Sequence, residues 1–585
     1  MFKVLKRMSK KEVGYVLVSL IFIVSQVYLD LKLPDYMSKI TMLIQTKGTL
    51  HEILKEGSFM LLCALGSLLA AVIVGFFAAR VAAGLSRKLR RDVYYQVSEY
   101  SMAEINKFST PSLITRSTND ITQVQMIVAM GLQLVIKAPI TAVWAITKIS
   151  NKSWEWTTAT ALAVVFLLVV IGIIITFAMP KFKIIQKLTD RLNSVTRENL
   201  TGIRVVRAYN AEGYETNKFE KANDDITKTN LFVQRMMAVM MPVMSLISNG
   251  LTLAVYLIGA SLIESAVGIQ SRMSLFSDMV VFTSYAMQVV MAFMMLTMIF
   301  IMLPRASVSA KRIMEVIETK SSIKDGTKTA GTAGVEGTIE FKDVAFGYAD
   351  GSEDVIEGVS FTATKGQTVA FIGSTGAGKS TLINLIPRYY DATKGSVLVD
   401  GVDVKDYSIE TLHDKIGFNP QKPVMFNGTI RSNISFGDTG HAPLTDEQIW
   451  QALDIAQASE FVKKLPDGLD SEISQGGLNL SGGQKQRLAI ARAIARRPEI
   501  LVFDDSFSAL DYRTDKTLRD TLTREVKDTT KLIVAQRIGT IMDADQIVVL
   551  DRGKVVGLGT HKELLANNDV YQEIAYSQLS KEELA

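Results

Sequence analysis

Four stretches of this sequence, Ser58–Ala79, Thr157–Met179, Met236–Ile263 and Met279–Pro304, contain no charged side chain. A helix needs roughly 20 mostly apolar residues to cross a bilayer, where its backbone polar groups must be satisfied internally. Each stretch is long enough. Two more qualify with interruptions. Val13–Leu33 carries Asp30 and Lys32 where it emerges from hydrocarbon, and Met126–Ile146 carries Lys137 and Pro139. Six membrane spans are expected, at about 13–33, 58–79, 126–146, 157–179, 236–263 and 279–304. The chain of 585 residues is too long for one core, and its apolar residues, 48% of the total, are concentrated in the first 305 positions.

A cleaved signal peptide is the rival reading of the first segment. Its start is basic, but no convincing small-residue cleavage site follows, so it is read as a retained span. Basic residues then orient the spans. Lys3, Lys6, Arg7, Lys10 and Lys11 precede the first span. Arg80, Arg87, Lys88, Arg90 and Arg91 follow the second, and Lys181, Lys183 and Lys187 follow the fourth. These belong on the cytoplasmic side, which leaves Lys148–Trp156 and Glu264–Asp278 outside and both termini inside. The long polar stretches after spans two and four are helix-prone and extend the spans as a stalk.

The net charge of +5 is small for this length, and no basic stripe interleaved with aromatics appears. Nucleic-acid binding has no support. Cys63 is the only cysteine, so an internal disulfide and a thiolate metal site are excluded. It is read as a small apolar residue within its span.

Lys320–Gly337 is rich in Gly, Thr and Lys and lacks apolar periodicity, which marks a linker between a membrane domain over 1–319 and a second domain over 338–585. The second domain alternates short apolar runs with helical patterns, as an α/β fold does. Thr368–Ile372 reads as a buried strand. It leads into Gly373, Ser374, Thr375, Gly376, Ala377, Gly378, Lys379, Ser380 and Thr381, and a helix is expected over Leu382–Ile386. Strand, glycine-rich loop and helix in that order form a phosphate cradle: backbone amides meet the oxygens, Lys379 supplies a fixed charge and Ser380 a magnesium ligand. A second buried run, Ile500–Phe503, ends at Asp504, an acidic residue placed to hold magnesium.

Between these motifs lie Leu480, Ser481, Gly482, Gly483 and Gln484, the pentapeptide LSGGQ. Here the chain resembles the ATP-binding cassette (ABC) transporter family over its whole length, in the exporter branch with six membrane helices fused to a cytoplasmic α/β P-loop ATPase domain. The resemblance implies ATP and Mg2+ as ligands. It implies that Tyr348 stacks on adenine and that Gln421 reaches the metal and the attacking water. It implies that LSGGQ closes over a nucleotide held by the opposite subunit. Ser508, Ala509, Leu510 and Asp511 correspond to the D-loop that crosses the subunit interface. Phe108–Asp120 and Glu198–Glu212 resemble the first and second intracellular coupling segments.

The sequence departs from the family pattern at three positions. Asp505 follows Asp504 where glutamate is usual. Losing one methylene sets the carboxylate back by roughly 1.5 Å, and a misplacement of about 1 Å can cost on the order of a hundredfold in rate. Gln536, in the run Ile533–Arg537, replaces a histidine; an amide donates a hydrogen bond but does not titrate. Gln475 replaces a glutamate in Glu472–Gly477, with an effect on coupling that the sequence leaves open. Two losses at one catalytic position, beside an intact signature, imply the degenerate half of a heterodimer. This chain's Asp505 and Gln536 would hold ATP with slow turnover. Its LSGGQ would complete the active site of a homologous half-transporter that keeps the glutamate and histidine.

Spans five and six are rich in methionine, including Met240, Met244, Met287, Met291, Met294 and Met298. Flexible, polarisable side chains suit a permissive pocket for small amphipathic substrates, and they equally suit plain packing. Lys137 within the third span is a functional candidate by its position, or a side chain snorkelling to the interface. The leading expectation is export of amphipathic compounds, multidrug type, from the plasma membrane of a bacterium. The alternatives are a lipid flippase of the same architecture or an ATP-gated regulatory membrane protein. A soluble DNA-repair ATPase is excluded by the spans.

Overall fold

The computed structural model describes residues 1–580 apart from 151, 349, 350, 352 and 438–441; the side chains at 179, 183, 299–301, 304 and 305 also lie outside the description. Lys183, one of the orienting residues above, is among them, as are the ends of two expected spans, Met179 and Pro304.

Among the described residues, six helices are long and apolar enough to cross a membrane. They exceed the apolar segments because polar residues continue them. Val13–Leu33 lies inside a helix running Lys10–Gln45, straight through Pro34. Ser58–Ala79 lies inside Leu50–Ser98, and Thr157–Met179 inside Trp154–Thr201. At about 1.5 Å rise per residue a helix of that size is about 74 Å long, well over the hydrocarbon thickness. The last, Ile269–Glu318, is 50 residues. The expected outer loops shrink accordingly, because the helices end at Ser150 and Ser265 and resume at Trp154 and Ile269.

Local chemistry fixes the entry to the first helix. Ser9 accepts from the Glu12 amide at 3.3 Å while Glu12 accepts from the Ser9 amide at 2.6 Å, a reciprocal capping box. The Glu12 carboxylate is buried against Gly84 of the next helix, where a Cβ would collide with it. Several polar groups inside the bundle are paired, as burial favours. Trp156 Nε1 donates to the Val255 carbonyl at 3.1 Å. Lys137 Nζ lies 3.1 Å from Asp30 Oδ2, and Ser67 donates to Asp30 Oδ1.

The second unit gathers the chain from Lys320 onward with one segment from the first half, Ser98–Thr110. Its main sheet has six strands in the order Lys554–Gly559, Gln546–Asp551, Thr368–Gly373, Thr530–Val534, Ile500–Asp504, Ile416–Asn419. All neighbours are parallel except the first pair. The central strands are buried throughout, each around an apolar run, Ile500–Phe503 and Leu532–Val534. A four-stranded antiparallel sheet, from Ile339–Phe346 to Val402–Asp403, packs its own core beside it. Lys320–Gly337 forms no helix but is tied down. Gly326 N donates to the Tyr407 carbonyl at 3.0 Å, and Thr332 N to that of Asp400 at 2.9 Å.

Candidate functional site

The strand Thr368–Gly373 ends in the glycine loop, and the helix begins at once, over Lys379–Ile383 rather than the expected Leu382–Ile386. The loop can turn this tightly because Gly376 and Gly378 have φ of 88° and 93°, and because a Cβ at Gly373 would collide with the Leu550 carbonyl. Lys379 Nζ folds back onto the Gly373 and Ser374 carbonyls at 2.8 and 2.9 Å. Burial lowers its pKa, while Asp505 and Asp504 oppose that shift.

Asp504 ends the strand Ile500–Asp504, next but one in the sheet, and its Oδ1 accepts from the Ser380 hydroxyl at 2.8 Å. Burial raises the Asp504 pKa, with the Ser380 bond opposing and the Asp505 charge adding. A buried carboxylate at this cost is suited to a cation. The donors Ser380, Asp504 and Gln421 are hard oxygen groups of the kind magnesium takes, and magnesium keeps water and phosphate oxygens for its remaining positions. Bound there, the ion would neutralise phosphate charge.

Asp505 sits at φ 48°, a left-handed conformation that Asp tolerates better than most residues, with its amide on the Val534 carbonyl at 3.0 Å. Its Oδ2 accepts from Gln536 Nε2 at 2.8 Å, and Gln421 Nε2 lies 3.5 Å away. The two substituted positions are therefore bonded to each other. Burial raises the Asp505 pKa, and the Gln421 and Ser508 contacts oppose it.

Tyr348 leans its hydroxyl on Thr381 at 3.1 Å and stands at 89° to Tyr390, with 37% of its surface exposed. An open ring face beside the phosphate loop is what base stacking needs. The LSGGQ run forms a helix N-terminus. Ser481 caps Gly482–Ala495, accepting from Gln484 N at 3.3 Å, and Gln484 Oε1 accepts from Ser481 N at 2.8 Å. Gly482, the first residue of that helix, is exposed, and a helix N-terminus favours negative charge. Leu510 is buried while Ser508 and Ala509 are exposed, and Asp511 caps the helix Tyr512–Glu525. Gln475 is exposed in a tight turn.

Sequence reasoning missed Gln578. Its side chain accepts from Ile538 N and donates to the Gln536 carbonyl, both at 2.9 Å, clamping the switch segment from the far end of the chain. No local pattern announces such a contact. The structure links Ser380 of the phosphate loop to Asp504, and Asp505 to Gln421 and Gln536, while no such bond among the described residues joins 480–484 to that loop, and it separates the methionines. Met244 is buried, Met240 and Met294 pack at the rim of the same core, and Met291 and Met298 are 44% and 49% exposed. Met287 accepts from Ser248 at 3.1 Å. The 390 Å³ cavity of the membrane unit is lined by other residues.

Comparison with known proteins agrees with this geometry. The ABC transporter transmembrane region profile matches residues 16–310, and the ABC transporter profile matches 356–508. An uncharacterized ABC transporter ATP-binding protein of Mycobacterium tuberculosis is 40% identical over 91% of this chain and 90% of its own. An ATP-dependent lipid A-core flippase of Pseudomonas aeruginosa is 32% identical over 90% and 85%. A bacterial Atm1-family ABC exporter solved with ATP bound superimposes with a TM-score of 0.78 at 25% identity, covering 97% of this chain and 98% of that one.

Proposed function

Because this chain belongs to the ABC transporter family, as an exporter with membrane and ATPase regions on one polypeptide, we propose that it is the slow-hydrolysing half of a heterodimer. The observation that carries the reading is the 2.8 Å bond from Gln536 to Asp505. A carboxylate that should face the attacking water instead accepts from an amide that cannot titrate. The signature helix keeps its cap. One composite site, with this chain's Lys379, Asp504 and Ser380, holds ATP and magnesium. The other, closed by Ser481 and its helix, hydrolyses ATP with the partner's glutamate and histidine.

The substrates proposed are amphipathic compounds, moved across the plasma membrane of a bacterium by a chain whose termini are both cytoplasmic. Lipid translocation is the second reading, favoured by the relatives named lipid A-core flippases. The test is ATPase activity of the purified chain alone and paired with a candidate half-transporter, then transport of dyes against labelled lipids in vesicles. Strong turnover by the lone chain would overturn the heterodimer, and lipid movement without dye movement would select the second reading.

A further inference from the structure

The membrane unit holds a cavity of about 390 Å³ lined by Tyr28, Leu31, Lys32, Trp144, Thr147 and Lys148. These residues fall at the ends of the first and third apolar segments, at the level where hydrocarbon gives way to headgroups. Tyr28 and Trp144 meet edge to face with centroids 6.5 Å apart. Their charges do not balance. Asp35 is the one acid paired with both lysines. Its Oδ1 accepts from the Tyr285 hydroxyl at 2.6 Å and its Oδ2 from Lys148 Nζ at 2.8 Å. Lys32 has only a 4.0 Å approach to the same Oδ2 and a position 5.5 Å over the Tyr28 ring. The neighbouring pair contrasts with it, since Lys137 and Asp30 match one to one. Lys32 thus shares a single carboxylate with Lys148, which leaves two cations against one acid at the edge of hydrocarbon, beside an aromatic wall, where excess charge is costly.

We infer that this cavity binds the acidic headgroup of a single amphiphile. Lys32 pairs with a phosphate or carboxylate oxygen, and the Tyr28–Trp144 wall takes the first methylenes of the chain. As a substrate class, this rests on the exporter reading above, but binding itself needs neither nucleotide nor partner. A lipid of the bilayer and a transported compound would share this chemistry.

The experiment titrates the full chain in neutral-lipid nanodiscs and follows tryptophan fluorescence, with Trp144→Phe identifying the signal from the cavity. The probes are a single-chain phosphate monoester lipid, a phosphocholine lipid of equal length and inorganic phosphate. The monoester lipid is expected to bind about tenfold more tightly than the phosphocholine lipid, Lys32→Met to abolish that preference and Lys32→Arg to keep it. Equal binding of both lipids, or a preference that survives Lys32→Met, overturns the site. Inorganic phosphate binding as tightly as the monoester lipid overturns the amphiphile. Dye and lipid transport by the assembled exporter is measured separately. A failed exporter therefore leaves the binding result standing, and failed binding leaves the exporter standing.

Discussion

The signature helix and the phosphate loop of the nucleotide-binding unit differ in what their side chains do. On the signature side, Ser481 and Gln484 hold each other's backbone amides at the start of the helix. On the phosphate-loop face, the cradle is intact, but Asp505 and Gln536 have closed on each other. On the reading proposed above, the first serves a nucleotide held by the partner, and the second holds a nucleotide that it cleaves slowly, so that binding and hydrolysis depend on different side chains.

The largest expected effect lies on the intact face. Ser481→Ala removes a cap and a phosphate donor together, and loss of one preorganised donor costs on the order of a hundredfold in rate. ATPase activity of the two-chain complex should fall by that order, while a fluorescent ATP analogue still binds this chain's own loop. Unchanged turnover would erase the distinction between the faces.

A gain of function sharpens the comparison from the other side. Asp505→Glu combined with Gln536→His should raise turnover of the lone chain by on the order of tenfold or more. Either change alone should do little, because each leaves half of the present bond in place, and bonded neighbours are not additive. Additive single effects, read in steady-state assays, would contradict the coupling.

The smallest effect is on stability. Burial holds the Asp505 carboxyl above the ordinary carboxylate range, so the folded chain binds this proton more tightly than the unfolded chain. Its ionisation then costs stability. The cost is absent below the unfolded value of about 3.9, grows as pH rises through the raised folded value, and is constant above it. Asp505→Asn should raise Tm at neutral pH and lose that gain as pH falls toward about 4. A lower Tm at neutral pH would show that the carboxylate is well paired instead.

Much of the architecture was legible in the sequence because it rests on local signals. Charge-free runs at Ser58–Ala79 and Thr157–Met179 require helices whatever surrounds them, and the glycine loop after Thr368–Ile372 specifies its own turn. The extension of helices past the hydrocarbon was legible only in part, since polar residues such as those after Arg80 are compatible with helix or loop. What stayed hidden depends on residues far apart in the chain. Lys137 and Asp30 were each visible, and their pairing was not. The grip of Gln578 on Gln536 joins positions 42 apart, with no periodicity to betray it. The cap formed by Ser481 and Gln484 could have been read from the spacing of a serine and a glutamine three residues on.

Ser98–Thr110 belongs by its contacts to the second unit, although the sequence places it between two spans. Glu104 accepts from the Ser322 amide at 3.2 Å, and Asn106 donates to the Tyr390 hydroxyl at 3.0 Å. The polypeptide therefore passes between the two units three times, after Val97, Thr110 and Thr319. A scissile boundary at the Gly- and Thr-rich stretch would not yield an interchangeable ATPase module. It would leave behind a thirteen-residue piece of that module, and swapping the cassette between relatives calls for two splice sites more than the linker alone suggests.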